Sequence, residues 1–116
     1  MRHPDWVARL AALLRDAETR AFDARRWNCA LFALASVEMV TGQRPAFRVL
    51  PDLADSADSA GFPRVPPLRA RMGDIVLAPD PNRLGVVLDA GRVAFVGPRS
   101  LLRAPITLCT VAWRIG

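Results

Sequence analysis

The chain of 116 residues carries 16 basic and 11 acidic side chains, and 52% of its residues are hydrophobic. That length fits a single α+β domain over residues 1–116 with a real core, and it excludes a second domain. No apolar run approaches the roughly 20 residues needed to cross a bilayer, and the charged N-terminus lacks the apolar stretch of a secretory signal. We therefore expect synthesis in a cytoplasm and no membrane insertion.

The net charge of +5 depends on arginine alone, because the chain contains no lysine. Arginine suits phosphate or carboxylate recognition, but a GC-rich genome also enriches it, and the sequence leaves both origins open. The arginines are scattered, and only Arg25 and Arg26 are adjacent. A nucleic-acid interface usually shows a clustered basic stripe or a recognisable module. Nucleic acid is therefore not an expected partner, and a basic nucleic-acid-binding module is only a remote alternative.

Two helices are predicted in the first 42 residues. Apolar residues recur at three- and four-residue steps over residues 4–20, the pattern of an amphipathic helix, and a connector follows. The second helix is predicted to begin at Asn28 or Cys29, with Asn28 as its N-cap, and to end at Thr41 before Gly42. Because this helix is apolar on nearly all faces, we expect it to lie buried at the centre of the domain.

The second half of the chain is predicted to form strands. Prolines interrupt residues 43–67, where residues 50–60 are expected to hold one short acidic helix. Strands are predicted over residues 74–78, 84–88, 92–96 and 108–115, with turns at 79–82 and 89–91 and a loop at 97–105 in which Leu101 and Leu102 point inward. Helices followed by an antiparallel meander are typical of an α+β fold.

The two cysteines are Cys29 and Cys109. A metal site would need close cysteine pairs or several histidines, and the chain has one histidine, so no metal or other cofactor is expected. A disulfide is not expected in a cytoplasm, so both thiols are predicted to be free and at least one to lie in the core. Cys29 is more informative, because the first turn of a helix stabilises a thiolate through free N–H groups and the helix dipole. The alternative is that Cys29 packs as a small apolar residue.

Several short motifs occur together in a recognisable order. They are Trp27-Asn28-Cys29-Ala30-Leu31-Phe32, Thr41-Gly42, Arg71-Met72-Gly73-Asp74-Ile75-Val76, Leu84-Gly85-Val86-Val87 and Ala112-Trp113-Arg114-Ile115. With these motifs the chain resembles a phage and prophage family of unassigned function, which looks like a divergent branch of the NlpC-type cell-wall peptidases. The resemblance covers residues 25–116, leaving residues 1–24 as helix and connector. It implies a papain-like core with N-terminal helices followed by a small antiparallel sheet or half-barrel.

The resemblance also implies roles for individual residues. In active NlpC-type peptidases the nucleophile comes from an Asp-Cys pair at a helix start, a Gly-Asp pair opens the first strand, and a histidine precedes a hydrophobic-Gly pair on the second strand. Cys29 matches the nucleophile, Gly73 and Asp74 match the strand opening, and Arg83 takes the position of the histidine, just before Leu84-Gly85. Arginine cannot exchange a proton near neutral pH, so this departure implies a vestigial nucleophile and an inactive fold.

Further departures point the same way. Asn28 replaces the family's aspartate, and residues 93–96 offer no polar side chain for the third catalytic position. The only histidine is His3, and nothing in the sequence brings it to Cys29. The usual Cys-His chemistry of a cysteine peptidase is therefore not expected.

The family's place beside tail genes implies a structural or adaptor component of a phage-type tail or tail tip, located in a virion or phage-like particle. Tail or hub proteins are its expected partners. The alternative is a cysteine hydrolase acting on peptidoglycan peptides with Cys29 as nucleophile, so contact with peptidoglycan stays open. Partner contacts are expected at residues 62–68 and 98–105, which have arginines 64, 69, 99 and 103 in or beside them.

Local roles are also predicted for Asp74, for the three tryptophans and for three strand arginines. Asp74 is expected to cap the turn before its strand by accepting backbone N–H groups. Trp27, beside the helix cap, is expected to be partly exposed, whereas Trp6 and Trp113 are expected in the core. The strand arginines Arg83, Arg92 and Arg114 are expected to be solvated.

Overall fold

A computed structural model describes residues 1–79, 81–89 and 91–116, and within them the chain is an α+β domain with helices first and a sheet afterwards. The helices are α1 (Trp6–Glu18), α2 (Cys29–Thr41) and α3 (Leu53–Asp58). The strands are β1 (Arg64–Val65), β2 (Ile75–Ala78), β3 (Arg83–Asp89), β4 (Arg92–Val96), β5 (Leu101–Pro105) and β6 (Val111–Trp113). Two short 3₁₀ turns complete the fold, the first at Pro67–Arg69 and the second at Ile106–Leu108. The predicted α+β class and the short acidic helix are confirmed.

The described strands form one antiparallel sheet in the order β1-β6-β2-β3-β4-β5. Strands β2 to β5 are the predicted meander, and β6 returns to pair with the free side of β2, where Val76 lies opposite Ala112. Because side chains alternate along a strand, the sheet has two distinct faces. Ile75 and Leu77 belong to the core cluster on the helix side, whereas Val76 and Ala78 belong to a second cluster on the far side.

The predicted loop at residues 97–105 is wrong in its second half, because β5 pairs with β4 along residues 101–105. The hairpin is tight: Gly97 donates its N–H to the Ser100 carbonyl, and a Cβ at Gly97 would lie 2.4 Å from that oxygen. Leu101 is buried as predicted, but Leu102 is 42% exposed, because successive residues of a strand face opposite ways.

Two other strand predictions need correction. The last strand is shorter than residues 108–115, because the second 3₁₀ turn holds Leu108 and β6 begins at Val111. The two-residue strand β1 was not predicted, since it stands between Pro63 and Pro66. The predicted turns at 79–82 and 89–91 include Asp80 and Ala90, which lie outside the described residues.

Helix α2 lies between α1 and the sheet, where it contacts β3 and β4. Its predicted ends are confirmed. The Asn28 side chain accepts the Leu31 N–H at 2.9 Å, and Gly42, with φ of 78°, donates its N–H to the Glu38 carbonyl. Every residue of α2 is buried or partly buried, so Cys29 begins the central helix as expected. Among the described helices none is long and apolar enough to span a bilayer.

Candidate functional site

The start of α2 is an aromatic, well-capped helix end. Cys29 is partly exposed, and Trp27 next to it is only 5% exposed, so the prediction that Trp27 is partly exposed is wrong. A pair of backbone hydrogen bonds between Asp23 and Trp27, each 2.9 Å, turns the ring inward. The centroid of the Trp27 ring lies 5.6 Å from that of Phe32, and the Arg20 guanidinium lies 4.2 Å from the Trp27 centroid. Cation–π contact and burial thus hold Trp27 in place.

The side-chain amide of Asn28, the residue before Cys29, is hydrogen-bonded at both its oxygen and its nitrogen. The Asn28 side-chain oxygen accepts the Leu31 N–H, and its nitrogen donates to the Ala24 carbonyl at 3.0 Å. Asn28 therefore ties the connector to the helix start and can neither give nor take a proton there. Both cysteines are free thiols, as predicted. Within the described ranges, no three His, Cys, Asp or Glu side chains are grouped as a metal site would require.

His3 lies at the other end of α2. Its backbone N–H donates to the Val40 carbonyl at 2.8 Å, and its Nδ1 accepts the Asp5 N–H. With a rise of 1.5 Å per residue, Val40 is about 17 Å along the helix from Cys29. The only imidazole of the chain is therefore far outside hydrogen-bonding reach of the thiol.

Arg83 does not face Cys29 either. It pairs with Ala78 across β2 and β3, so its side chain lies on the far side of the sheet, while Cys29 packs into the cluster on the helix side. The Arg83 guanidinium stacks 4.5 Å from the centroid of the Phe95 ring, and its Nε is buried. The expectation that Arg83 is solvated is therefore wrong.

Gly85 has a packing role beside Arg83. A Cβ at this position would come 2.5 Å from Phe95 Cε1 and 2.7 Å from the Ala94 carbonyl. The hydrophobic-Gly pair of this chain therefore leaves room for the aromatic ring on which Arg83 stacks. The motif is explained by packing on the far face of the sheet.

Among the described residues Asp74 has the side chain with the most hydrogen bonds, and it is completely buried. Its Oδ2 accepts the Arg71 N–H at 2.8 Å, which is the predicted turn cap. Its Oδ1 accepts the Ile115 N–H at 2.9 Å and lies 3.0 Å from the Arg2 guanidinium. The Arg114 guanidinium lies 3.3 Å from Oδ2, so the prediction that Arg114 is solvated is wrong. The carboxylate joins both ends of the described chain to the start of β2.

Arg2 completes this cluster, although the sequence did not indicate a role for it. It also donates to the Met72 and Ile115 carbonyls and stacks 4.3 Å from the Trp6 ring centroid. Burial lowers the pKa of Arg2, Asp74 raises it, and the charge of Arg71 lowers it further. No short sequence motif indicates a contact between Arg2 and Asp74, which are 72 residues apart.

The cluster also lies away from the thiol. Gly73, with φ of 88°, approaches Val40 so closely that a Cβ would meet its Cγ2 at 3.1 Å. Gly73 and Asp74 therefore lie near the Val40 end of α2, and Val40 is about 17 Å along the helix from Cys29. The sequence-predicted site residues thus occupy three places: Trp27, Asn28 and Cys29 together, Gly73 and Asp74 together, and Arg83 with Gly85.

The remaining predictions concern Cys109 and Arg92. Cys109 is buried in the far-side cluster, as expected for a core thiol. Burial raises the pKa of Cys109 to about 11, and the positive charge of Arg83 partly opposes this rise. Arg92 is exposed, as predicted.

The chain belongs to a protein family described as a domain of unknown function, DUF6950, which matches residues 1–51 and 47–115. Proteins with curated annotation give no match. The family description assigns no activity.

Proposed function

We propose that this protein is a structural or adaptor component of a phage-type tail, built on a peptidase-like fold of the papain type that has lost catalysis. One observation carries the loss of catalysis in this proposal. Cys29 occupies the helix start that a nucleophile would need, yet His3 and Arg83 lie at the other end of α2 and on the other face of the sheet.

Amide hydrolysis by a thiol needs a group that accepts a proton and returns it to the leaving nitrogen. The Asn28 amide cannot titrate, and both ends of it are held in hydrogen bonds. Arginine stays protonated near neutral pH, so Arg83 would not serve even if it faced the thiol. None of Asn28, Arg83 and His3 can therefore serve Cys29 as a general base.

The papain-like part of the proposal is supported by the order of elements, with Cys29 at the start of a central helix and an antiparallel sheet after it. The tail context is supported by the resemblance to phage and prophage proteins. Exposed apolar side chains, including Leu68 and Leu108, are consistent with contacts to other protein chains. The expected partners are hub or other tail proteins.

Particle composition tests the adaptor role. The chain would be epitope-tagged in the bacterium that carries its gene cluster, and particles purified on a density gradient would be analysed by mass spectrometry. We expect the protein to co-sediment with assembled tails, and a Cys29→Ala variant to be incorporated equally well. A chain that is expressed but never found in particles would contradict the proposal.

The second candidate is a thiol hydrolase acting on peptidoglycan peptides, favoured by the partial exposure of Cys29 at a helix N-terminus. This activity would require a base supplied by another chain. Release of peptidoglycan fragments by intact particles, lost when Cys29 is replaced by alanine, would identify it.

A further inference from the structure

Strand β5 is a free edge of the sheet, since among the described strands only β4 pairs with it. The opposite edge, β1, has two residues between Pro63 and Pro66, and short strands and prolines both oppose pairing with another chain. Strand β5, by contrast, keeps one unbroken register with β4 over its five residues. We propose that two copies of the chain associate through β5, antiparallel about a two-fold axis at Leu102.

The register with β4 determines which backbone groups of β5 face outward. Gly97 donates its N–H to the Ser100 carbonyl, so these two residues form a hydrogen-bonded pair at the end of the β4–β5 ladder. Hydrogen-bonded and non-hydrogen-bonded pairs alternate along an antiparallel ladder, so the next hydrogen-bonded position on β5 is Leu102. Leu101 and Arg103, on either side of it, therefore direct their N–H and C=O groups away from β4.

A second β5 strand matches these outward groups. When Leu102 lies opposite Leu102 of the second copy, Leu101 of each copy lies opposite Arg103 of the other. Each of these pairs exchanges two main-chain hydrogen bonds, which satisfies every outward N–H and C=O of both residues. The combined sheet would then end at β1 on both sides, where the flanking prolines oppose further pairing.

The side chain at the axis is an exposed leucine. Leu101 is buried in the cluster on the helix side, so Leu102 faces the far side, where it is 42% exposed. An axis at Leu102 brings this side chain against its own copy at a non-hydrogen-bonded position, where side chains on opposite strands are closest. A strand of another protein would need a matching apolar residue there, whereas a second copy supplies one by symmetry.

The charged residue of the edge selects this register over the neighbouring one. An axis at Arg103 would place the two guanidiniums directly opposite each other, which is destabilising. It would also set Pro105, which has no N–H, opposite Leu101 and lose hydrogen bonds. With the axis at Leu102, each arginine lies opposite a leucine and keeps its 2.6 Å ion pair with Glu18.

The association does not rest on the proposed function, because Cys29 takes no part in it. One pair of short strands makes a small interface, so we expect a reversible equilibrium between monomer and dimer. Sedimentation velocity of the full chain, from micromolar to millimolar concentration, should show the mass rising from 12.7 kDa towards twice that value. A mass that stays at one chain throughout would overturn the proposal and leave the edge to a strand of another protein.

A pair of variants at Arg103 separates main-chain pairing from side-chain contact. Arg103→Pro removes an outward N–H without removing a hydrogen bond to β4, and the mass should stay at that of one chain. Arg103→Ala loses the same side chain and its pair with Glu18 but keeps the N–H, and it should dimerise like the unaltered chain. Circular dichroism shows that each variant is folded. Equal loss of the dimer in both variants would contradict pairing through the main chain.

Cysteine cross-linking tests the register without depending on a loss of association. In a Cys29→Ala background, whose remaining thiol is buried, Leu102→Cys should give a disulfide-linked dimer on a non-reducing gel. Opposite Cα atoms at such a position are about 4.5 Å apart, within the range of a disulfide. The matched control Arg103→Cys places its two thiols on a diagonal of about 7 to 8 Å and should not cross-link. Cross-linking of Arg103→Cys alone would overturn the register, and cross-linking of neither variant would overturn the pairing.

Discussion

The two ends of α2 differ in the kind of interaction that surrounds them. At the start, Cys29 follows a hydrogen-bonded asparagine cap and a buried tryptophan. At the other end, the carboxylate of Asp74 holds two guanidiniums and two backbone N–H groups. The buried carboxylate thus lies where the two ends of the described chain meet, near the end of α2 opposite to Cys29. A thiol at a helix start is favourably placed to ionise, but hydrolysis also requires a titrating neighbour, and His3 and Arg83 both lie out of its reach.

The largest expected effect is at the charged end. Asp74→Asn keeps the shape of the side chain but leaves the partly buried Arg2 without its counter-charge. Breaking a buried ion pair by removing one partner is strongly destabilising, so we expect a loss of about 3 kcal/mol in the free energy of unfolding. Urea denaturation followed by tryptophan fluorescence measures it.

The matched control is Asp16→Asn, an exposed aspartate on α1. It should change the free energy of unfolding by no more than about 0.5 kcal/mol. If Asp74→Asn were as mild as this control, the contacts of Asp74 with Arg2, Arg114 and Ile115 would not stabilise the fold as described.

A second effect concerns the other thiol and its pH dependence. Burial raises the pKa of Cys109 to about 11, above its value in the unfolded chain, so the protonated thiol is favoured by folding. This contribution is complete below the unfolded pKa of about 8.5 and is lost as the pH rises through the folded value. We expect a decrease of about 2 kcal/mol in the free energy of unfolding between about pH 8 and pH 11.

The sequence makes this measurement clean, because the chain has no lysine and no tyrosine to titrate in the alkaline range. Cys109→Ala should be less stable at neutral pH because of the cavity it leaves, yet should show a flatter decline with pH. An unchanged decline in Cys109→Ala would assign the effect to another group.

The smallest stability effect is expected at the start of α2. Asn28→Ala removes the acceptor of the Leu31 N–H and should cost about 1 kcal/mol. Asn28→Asp keeps an acceptor oxygen and should retain most of that stability. Thermal unfolding of the three proteins side by side measures the difference, and an Asn28→Asp variant as unstable as Asn28→Ala would show that the donor to Ala24 matters more than the cap.

The helix boundaries were predictable because their signals are local. Asn28 and Gly42 cap α2 through groups within four residues, and these rules depend little on the rest of the chain. The turn cap by Asp74 was predictable for the same reason. The other contacts of Asp74, to Arg2 and Arg114, depend on which segments the fold brings together.

The side of the sheet on which Arg83 lies also had a signal in the sequence. If Leu84 and Val86 face the helices, alternation along the strand turns Arg83 to the opposite side, away from Cys29. The burial of Trp27 had no such signal, because it depends on how the connector folds to bring Arg20 and Phe32 against the ring. Strand β5 was hidden because Leu101–Pro105 lacks alternation and ends in proline.

The thiol at the start of α2 has neither His3 nor Arg83 within hydrogen-bonding reach. Purified protein and its Cys29→Ala variant would be incubated with intact sacculi, and released fragments quantified by liquid chromatography with mass spectrometry. We expect both to release no more than buffer alone, because His3 and Arg83 cannot reach Cys29. Fragment release by the unaltered chain that disappears in Cys29→Ala would contradict the proposed loss of catalysis.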